Sequence, residues 1–150
     1  MKDIPENSID LILTDPPYNI GKNYGEKYDD RQNNYYDWCK LWFKEVRRIS
    51  KLVAFTVAKR DLPFWFKLED PVWVFCWYSS NQCGRTWVGG YISWEPVLTY
   101  GKFLKKASRD GWYIPISIQK NIGDFPVPKP LKLWQILVKE FSNEGNIVLD

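Results

Sequence analysis

The chain has 150 residues, a net charge of +3 and a hydrophobic fraction of 45%, which suits one globular domain with its own core. It has three cysteines, no C-x-x-C pair and no histidine, so a zinc site of cysteine and histidine is excluded and a disulfide framework is not expected. The N-terminal stretch lacks the apolar core of a signal peptide, and the longest uncharged run, residues 71–84, is too short and too polar to span a bilayer. We therefore expect a cytoplasmic protein without a metal centre.

The first predicted element is a short strand that ends in a stiff corner. Residues 11–13 are apolar and are followed, after Thr14, by the sequence D-P-P-Y of residues 15–18. The two prolines remove two backbone donors and fix φ, so the strand must stop there. Ligands bind at the carboxyl ends of strands in open α/β sheets. The corner would therefore place the Asp15 carboxylate, the Pro16 carbonyl and the Tyr18 ring at such a site.

These groups suit the alkylation of an exocyclic amine on a nucleobase. Such an amine is a weak nucleophile because its lone pair is conjugated with the ring, and two acceptors, the Asp15 carboxylate and the Pro16 carbonyl, would localise that lone pair. Asp15 can also take the proton that leaves after alkylation. The base must leave the duplex, and stacking on Tyr18 would return roughly 1–3 kcal/mol of that cost.

The D-P-P-Y sequence after an apolar strand resembles the catalytic motif of the amino-methylating DNA methyltransferases. The resemblance implies methyl transfer from S-adenosylmethionine to N6 of adenine or N4 of cytosine in double-stranded DNA. It implies catalytic roles for Asp15, Pro16, Pro17 and Tyr18, with Asp15 also beside the cofactor. Members with Asp at the first position are mostly adenine-specific, so Asp15 favours N6 of adenine, with N4 of cytosine as the alternative.

A long polar loop is predicted next, over residues 19–34, because this segment is polar and contains Gly21 and Gly25. Lys22 and Arg31 are candidates to contact DNA phosphates from this loop. An ordinary solvated loop is the alternative.

A helix and a second strand are predicted after this loop. An amphipathic helix over residues 35–50 is indicated by apolar residues three or four positions apart: Trp38, Leu41, Trp42, Val46 and Ile49. Residues 51–57 form a continuous apolar run, which predicts a strand parallel to the first. The order strand, helix, strand is typical of an α/β fold.

A short helix or turn is predicted at residues 61–66, followed by strands at residues 72–78 and 91–102. We expect these two strands to form an antiparallel pair at one edge of the sheet.

The resemblance extends through this second half. The family carries a Trp-Glu-Pro-like stretch that frames the target-base pocket, matched here by residues 94–96. Residues 102–109 form a basic loop where the family often inserts its DNA-recognition segment. Lys102, Lys105 and Lys106 are therefore candidate DNA contacts.

The last segment predicts an amphipathic helix at residues 131–141 and the start of a strand at residues 146–150. In the family, a lysine-proline-leucine stretch precedes this helix, and the strand reads V-L-D before a glycine-rich turn that holds the cofactor. The match implies cofactor contacts from Lys129, Pro130, Leu131 and Asp150. The glycine-rich turn is absent, and so is the histidine that members usually carry upstream of the lysine-proline pair.

The resemblance covers nearly the whole chain and implies an α/β, Rossmann-like, S-adenosylmethionine-dependent methyltransferase fold with an incomplete cofactor-binding half. We expect the domain, here residues 1–150, to continue beyond Asp150. The isolated chain should bind the cofactor weakly, transfer no methyl group and self-associate as a homodimer unless a complementing chain covers its last strand.

The sequence also bears on other classes of protein. A cytosine carbon-5 methyltransferase is excluded because none of the three cysteines follows a proline. A P-loop or dinucleotide-binding enzyme is excluded because neither glycine motif occurs. A non-catalytic module or subunit that binds nucleic acid stays open as an alternative.

Overall fold

A computed structural model describes residues 1–21, 30–82, 84–86, 88–116 and 129–150. The elements in chain order are β1 (Ile9–Thr14), α1 (Tyr35–Ile49), β2 (Ser50–Thr56), a 3-10 turn (Lys59–Asp61), α2 (Leu62–Leu68), β3 (Trp73–Tyr78), β4 (Trp94–Gly101), β5 (Gly111–Tyr113), α3 (Leu131–Phe141) and β6 (Val148–Leu149). Within the described residues, the strands form one mixed sheet in the order β5-β3-β4-β2-β1-β6.

Strand β1 lies inside the sheet between two parallel neighbours. Leu11 pairs with Leu52 of β2 on one side and with Val148 of β6 on the other. Residues 11–13 are buried, and the strand ends at Thr14, directly before Asp15. The predicted strand, its abrupt end and the parallel arrangement of β1 and β2 are confirmed.

Helix α1 buries Val46 and Ile49 of the predicted stripe, and its Trp38 and Trp42 pack against the same core, so the prediction is wrong for Leu41 alone. The buried residues of the helix are Tyr35, Cys39, Phe43, Val46 and Ile49, whereas Leu41 is 70% exposed. The ring of Phe43 packs on Phe55 and Tyr100, with centroid distances of 6.2 and 4.7 Å, so the row that contains Phe43 faces the sheet. The prediction for Leu41 was wrong because large apolar residues lie on more than one side of this helix, so spacing alone did not select the buried side.

The antiparallel pairing of β3 with β4 is confirmed, but its predicted place at the sheet edge is wrong. Strand β4 also pairs with β2, and the short strand β5 adds to β3 in parallel, with Trp112 beside Trp77. Strand β5 was not predicted, because three residues are too few to show a strand periodicity.

Two apolar cores cover the two faces of the sheet. One core joins α1 and α2 to alternate strand residues such as Ile12 and Leu98, and the other joins α3 to Leu11, Leu13 and Val97. The carboxyl ends of β1 and β2 lie side by side near the start of α3, where Lys129 contacts Asp15. In the described ranges, no helix is long and apolar enough to cross a membrane.

Candidate active site

Asp15 is fixed from two directions where the chain leaves β1. Since β1 and β2 are parallel, with Thr14 beside Phe55, their carboxyl ends meet at the same place. The hydroxyl of Thr56, a fully buried residue, donates a hydrogen bond to Asp15 Oδ1. Lys129 Nζ lies 2.7 Å from Oδ1 and 2.9 Å from Oδ2 of the same carboxylate. The carboxylate is exposed, yet its orientation is set by both neighbours.

The Tyr18 ring lies beside this carboxylate and is partly buried. Its hydroxyl donates a 3.1 Å hydrogen bond to Glu95 Oε2, and Lys129 Nζ lies 4.6 Å from the ring centroid. Burial raises the pKa of Tyr18 well above its ordinary value, and the negative charges of Asp15 and Glu95 raise it further. The hydroxyl therefore stays protonated and acts as a donor.

Lys129 is the cation that links the two carboxylates. Its Nζ lies 3.4 Å from Glu95 Oε2 as well as in contact with Asp15, and its side chain is only 12% exposed. Burial alone would lower the pKa of Lys129, but the charges of Asp15 and Glu95 raise it by more, so the net shift is upward. The corner thus holds two carboxylates and one protonated amine.

The turn after Tyr18 is anchored through Asn19, whose φ of 53° lies in the left-handed region. The backbone N–H groups of Asn19 and Ile20 each donate to the buried Asp30 carboxylate at 2.9 Å. The Asn19 side chain accepts from the Gln32 N–H at 2.8 Å and donates to the Gln32 carbonyl at 3.2 Å. These bonds hold the turn in one conformation.

Two more side chains donate hydrogen bonds to backbone carbonyls of the corner. The Tyr35 hydroxyl donates to the Pro17 carbonyl at 2.9 Å. Arg60 Nη2 donates to the carbonyls of Tyr18 and Asn19 at 3.1 and 2.8 Å. The backbone of the D-P-P-Y corner is therefore tied to the start of α1 and to the 3-10 turn that follows β2.

The residues predicted to bind the cofactor are spread along this side of the sheet. Lys129 lies at the D-P-P-Y corner, against Asp15, and Pro130 is buried at the start of α3. Leu131 is the first residue of α3 and is 55% exposed. Asp150 is exposed and follows β6, which pairs with β1.

The predicted DNA contacts lie in different places. Arg31 is exposed. It lies beside the turn after Tyr18, because a Cβ added at Gly21 would be 3.0 Å from the Arg31 Nε. Lys22 lies outside the described residues.

The basic loop is at the other end of the sheet from Asp15. Its first residue, Lys102, follows Gly101, which pairs with Leu52 near the start of β2. Val97 pairs with Thr56 at the end of β2, so about 13 Å of strand separates the two ends. Lys105 donates to the Lys139 carbonyl. A role of Lys102, Lys105 and Lys106 in DNA binding stays a prediction, and these residues do not share the corner.

Sequence reasoning missed Thr56, Lys59 and Arg60. Thr56 is a polar residue at the end of a buried run parallel to β1, and this position could have indicated a group at the ligand-binding end of the sheet. Lys59 Nζ lies 5.0 Å from the Trp94 ring centroid, so it adds a cation next to the Trp-Glu-Pro stretch. Nothing in the local pattern around Lys59 and Arg60 pointed to the corner.

Comparison with known proteins decides the family. Residues 9–109 match the family model N6_N4_Mtase, DNA methylase. The chain belongs to this DNA methylase family. It is 28% identical to the type II methyltransferase M.HpaI of Haemophilus parainfluenzae, over all of this chain and 59% of that protein. It is 26% identical to the DNA adenine methyltransferase YhdJ of Escherichia coli K12, over all of this chain and 66% of that protein.

Solved structures of DNA methyltransferases share the fold. The cytosine-N4-specific PvuII DNA methyltransferase matches with a TM-score of 0.74 at 16% identity, over 98% of this chain and 68% of that chain. The M1.HpyAVI complex with S-adenosylmethionine matches with a TM-score of 0.58 at 19% identity, over 96% of this chain and 72% of that chain. The predicted family and the Rossmann-like methyltransferase fold are confirmed, and the chain spans about three fifths of the length of M.HpaI.

Proposed function

We propose that the protein transfers a methyl group from S-adenosylmethionine to the exocyclic amine of a base flipped out of double-stranded DNA, with N6 of adenine as the target. The observation that carries the proposal is the corner after β1. There an exposed carboxylate, Asp15, lies beside the ring of Tyr18 and is oriented by Thr56. A carboxylate next to an aromatic ring is what a flipped base with an exocyclic amine requires.

Each residue of the corner has a separate task in this proposal. The Asp15 carboxylate and the Pro16 carbonyl accept the two amine hydrogens and so localise the nitrogen lone pair. Asp15 then takes the proton that the nitrogen loses after methylation. Tyr18 stacks on the base, and Thr56 keeps the carboxylate in place.

The chemistry of this side of the sheet fits a cationic cofactor. Asp15 is exposed at the end of β1, and Asp150 is exposed after the neighbouring strand β6. Asp150 would bind S-adenosylmethionine through one of its positive groups, with Asp15 beside the cofactor but directed at the target amine, while Pro130 and Leu131 would contact it from the start of α3. When bound, the cofactor supplies the electrophilic methyl group. For Lys129, a cofactor contact rests on the family resemblance, because its ammonium is bound to Asp15 and Glu95 here.

Two findings support adenine as the target. YhdJ, named a DNA adenine methyltransferase, aligns with the whole chain at 26% identity, and Asp15 is the first residue of the D-P-P-Y corner. The PvuII enzyme shares the fold at 16% identity, which does not discriminate between adenine and cytosine.

Product analysis tests this proposal. The protein, in the form in which the cell expresses it, is incubated with radiolabelled S-adenosylmethionine and duplex DNA. The DNA is then digested to nucleosides. We expect label in N6-methyladenine, and Asp15→Ala should lower the transfer rate by about 10²–10⁴-fold with little loss of cofactor affinity. Asp37→Ala on α1, whose side chain is 75% exposed, is the matched control. Label in N4-methylcytosine would contradict the adenine target, and no label in either would contradict the function.

A further inference from the structure

Lys129 contacts the same two side chains, Asp15 and Tyr18, that bind the target base in the proposed function. Its Nζ contacts both oxygens of Asp15, at 2.7 and 2.9 Å. The same atom lies 4.6 Å from the centroid of the Tyr18 ring. A positively charged nitrogen with hydrogen-bond donors is thus held between a carboxylate and an aromatic face.

The ammonium and the target amine compete for the same partners. A stacked base needs that face of Tyr18 at a carbon-to-carbon distance of about 3.5–4.0 Å, and the ammonium stands over the face. An amine over this face that donates to Asp15 would also have to reach oxygens that Lys129 Nζ already contacts at 2.7 and 2.9 Å. A base that enters the corner on this side must therefore displace the ammonium.

Glu95 provides a place for the displaced ammonium. Its Oε2 lies only 3.4 Å from Lys129 Nζ and already accepts the Tyr18 hydroxyl. Because two carboxylates share one cation here, the ammonium can leave Asp15 and stay paired with Glu95. A partly buried cation keeps a partner in this way, which avoids the large cost of an unpaired charge.

We propose that Lys129 is a positioning residue that occupies the place of the target amine in the free protein and moves to Glu95 when the base arrives. This inference rests on the proposed methylase function. Displacement of Lys129 therefore frees both Asp15 oxygens for the target amine only when a base is present to use them.

Two substitutions of Lys129 test this role. Lys129→Met removes the competing cation and keeps an unbranched chain, whereas Lys129→Arg holds Asp15 more firmly through a bidentate contact. We expect Lys129→Met to bind the flipped base about tenfold more tightly than the wild type, and Lys129→Arg about tenfold more weakly. The probe is a duplex that the protein methylates, with 2-aminopurine at the target position, whose fluorescence reports flipping.

Control measurements separate this role from a structural or cofactor role. Lys132→Met removes an exposed charge from α3 and should bind the duplex within twofold of the wild type. A purely structural Lys129 would give weaker binding in both variants, with lower urea midpoints, and that result would overturn the proposal. A loss of S-adenosylmethionine affinity in Lys129→Met, with duplex binding unchanged, would also overturn it and assign Lys129 to the cofactor.

Glu95→Gln provides a second test, and its effect in the wild-type background does not depend on how Lys129→Met folds. The neutral amide keeps an acceptor for Tyr18 but no longer attracts the ammonium. Duplex binding should therefore weaken about tenfold in the wild-type background and hardly change in the Lys129→Met background. Equal effects in both backgrounds would refute the transfer to Glu95. If the protein methylates DNA but Lys129→Met binds the duplex more weakly than Lys129→Arg, this inference alone is refuted. If the protein methylates no DNA, the proposed function is refuted as well.

Discussion

The Tyr18 hydroxyl donates a 3.1 Å hydrogen bond to the Glu95 carboxylate and so joins the corner after β1 to the start of β4. In the proposed function, the ring and the hydroxyl of Tyr18 have separable roles. The ring stacks on the base once Lys129 has moved, while the hydroxyl fixes the orientation of the ring.

Substitution of Tyr18 should show this division. Tyr18→Ala should weaken binding to a duplex with an abasic site opposite the target by about 1–3 kcal/mol, because stacking is lost. Tyr18→Phe keeps the ring and should lose about 1 kcal/mol or less, from the missing hydrogen bond. Affinity for ordinary duplex is the reference in both cases. Equal losses for alanine and phenylalanine would contradict the stacking role.

Thr56 should affect the rate of methyl transfer through Asp15. Thr56→Val keeps the shape of this buried residue but removes the hydroxyl that donates to Asp15. Since a hydrogen bond to a charged group contributes about 1.5–3 kcal/mol, the transfer rate should fall by about 10- to 100-fold. Thr56→Ser keeps the hydroxyl and should retain most of the rate in single-turnover assays. A serine variant as slow as the valine variant would show that packing, and not the hydroxyl, matters at this position.

Asn19 should contribute to stability through its side chain as well as its backbone. Asn19→Ala removes two hydrogen bonds to the Gln32 backbone at a φ of 53°. The free energy of unfolding should fall by about 2–3 kcal/mol, from the left-handed conformation and the lost bonds together.

Asn7→Ala is the matched control for Asn19, because Asn7 is exposed and has the same φ of 53°. It should lose only the backbone contribution, about 1–2 kcal/mol. Urea unfolding followed by tryptophan fluorescence measures both variants. If their losses are the same, the bonds to Gln32 do not stabilise the turn.

Gly101 should tolerate no side chain where β4 ends. Its φ is +102°, and a Cβ would lie 2.3 Å from the Lys51 carbonyl oxygen. Gly89 has a φ of +98° and nothing within 4 Å of its Cβ position, so it isolates the backbone cost. Gly101→Ala should lower the free energy of unfolding by about 1–3 kcal/mol more than Gly89→Ala. Thermal or urea unfolding measures the stability of both variants. Equal losses of stability would show that the backbone at Lys51 moves away without cost.

The sequence predicted those parts of the fold that local patterns encode. The strand before Asp15 was predictable because residues 11–13 are apolar and two prolines end the strand. Helix α3 was predictable because its apolar residues recur at helical spacing. Strand β5 and the exposed position of Leu41 on α1 were not predictable, because they depend on which partner each segment meets in the folded sheet.

The site shows the same division between local and distant information. Asp15 and Tyr18 were found because they are close together in one motif. The contact of Thr56 with Asp15 and that of Lys129 with both carboxylates join distant parts of the chain. Such contacts follow from the order of strands in the sheet, which no single stretch of residues specifies.

The long separation of these partners has a consequence for folding. The hydrogen bonds that Asp15 accepts from Thr56 and Lys129 span 41 and 114 positions, and the bond from Tyr18 to Glu95 spans 77. Contacts of such high contact order form late, after the loops between them have closed. The corner therefore cannot be assembled by a fragment with only native helices or only one native strand pair. Its integrity reports that β1, β2, β4 and the start of α3 are all in place.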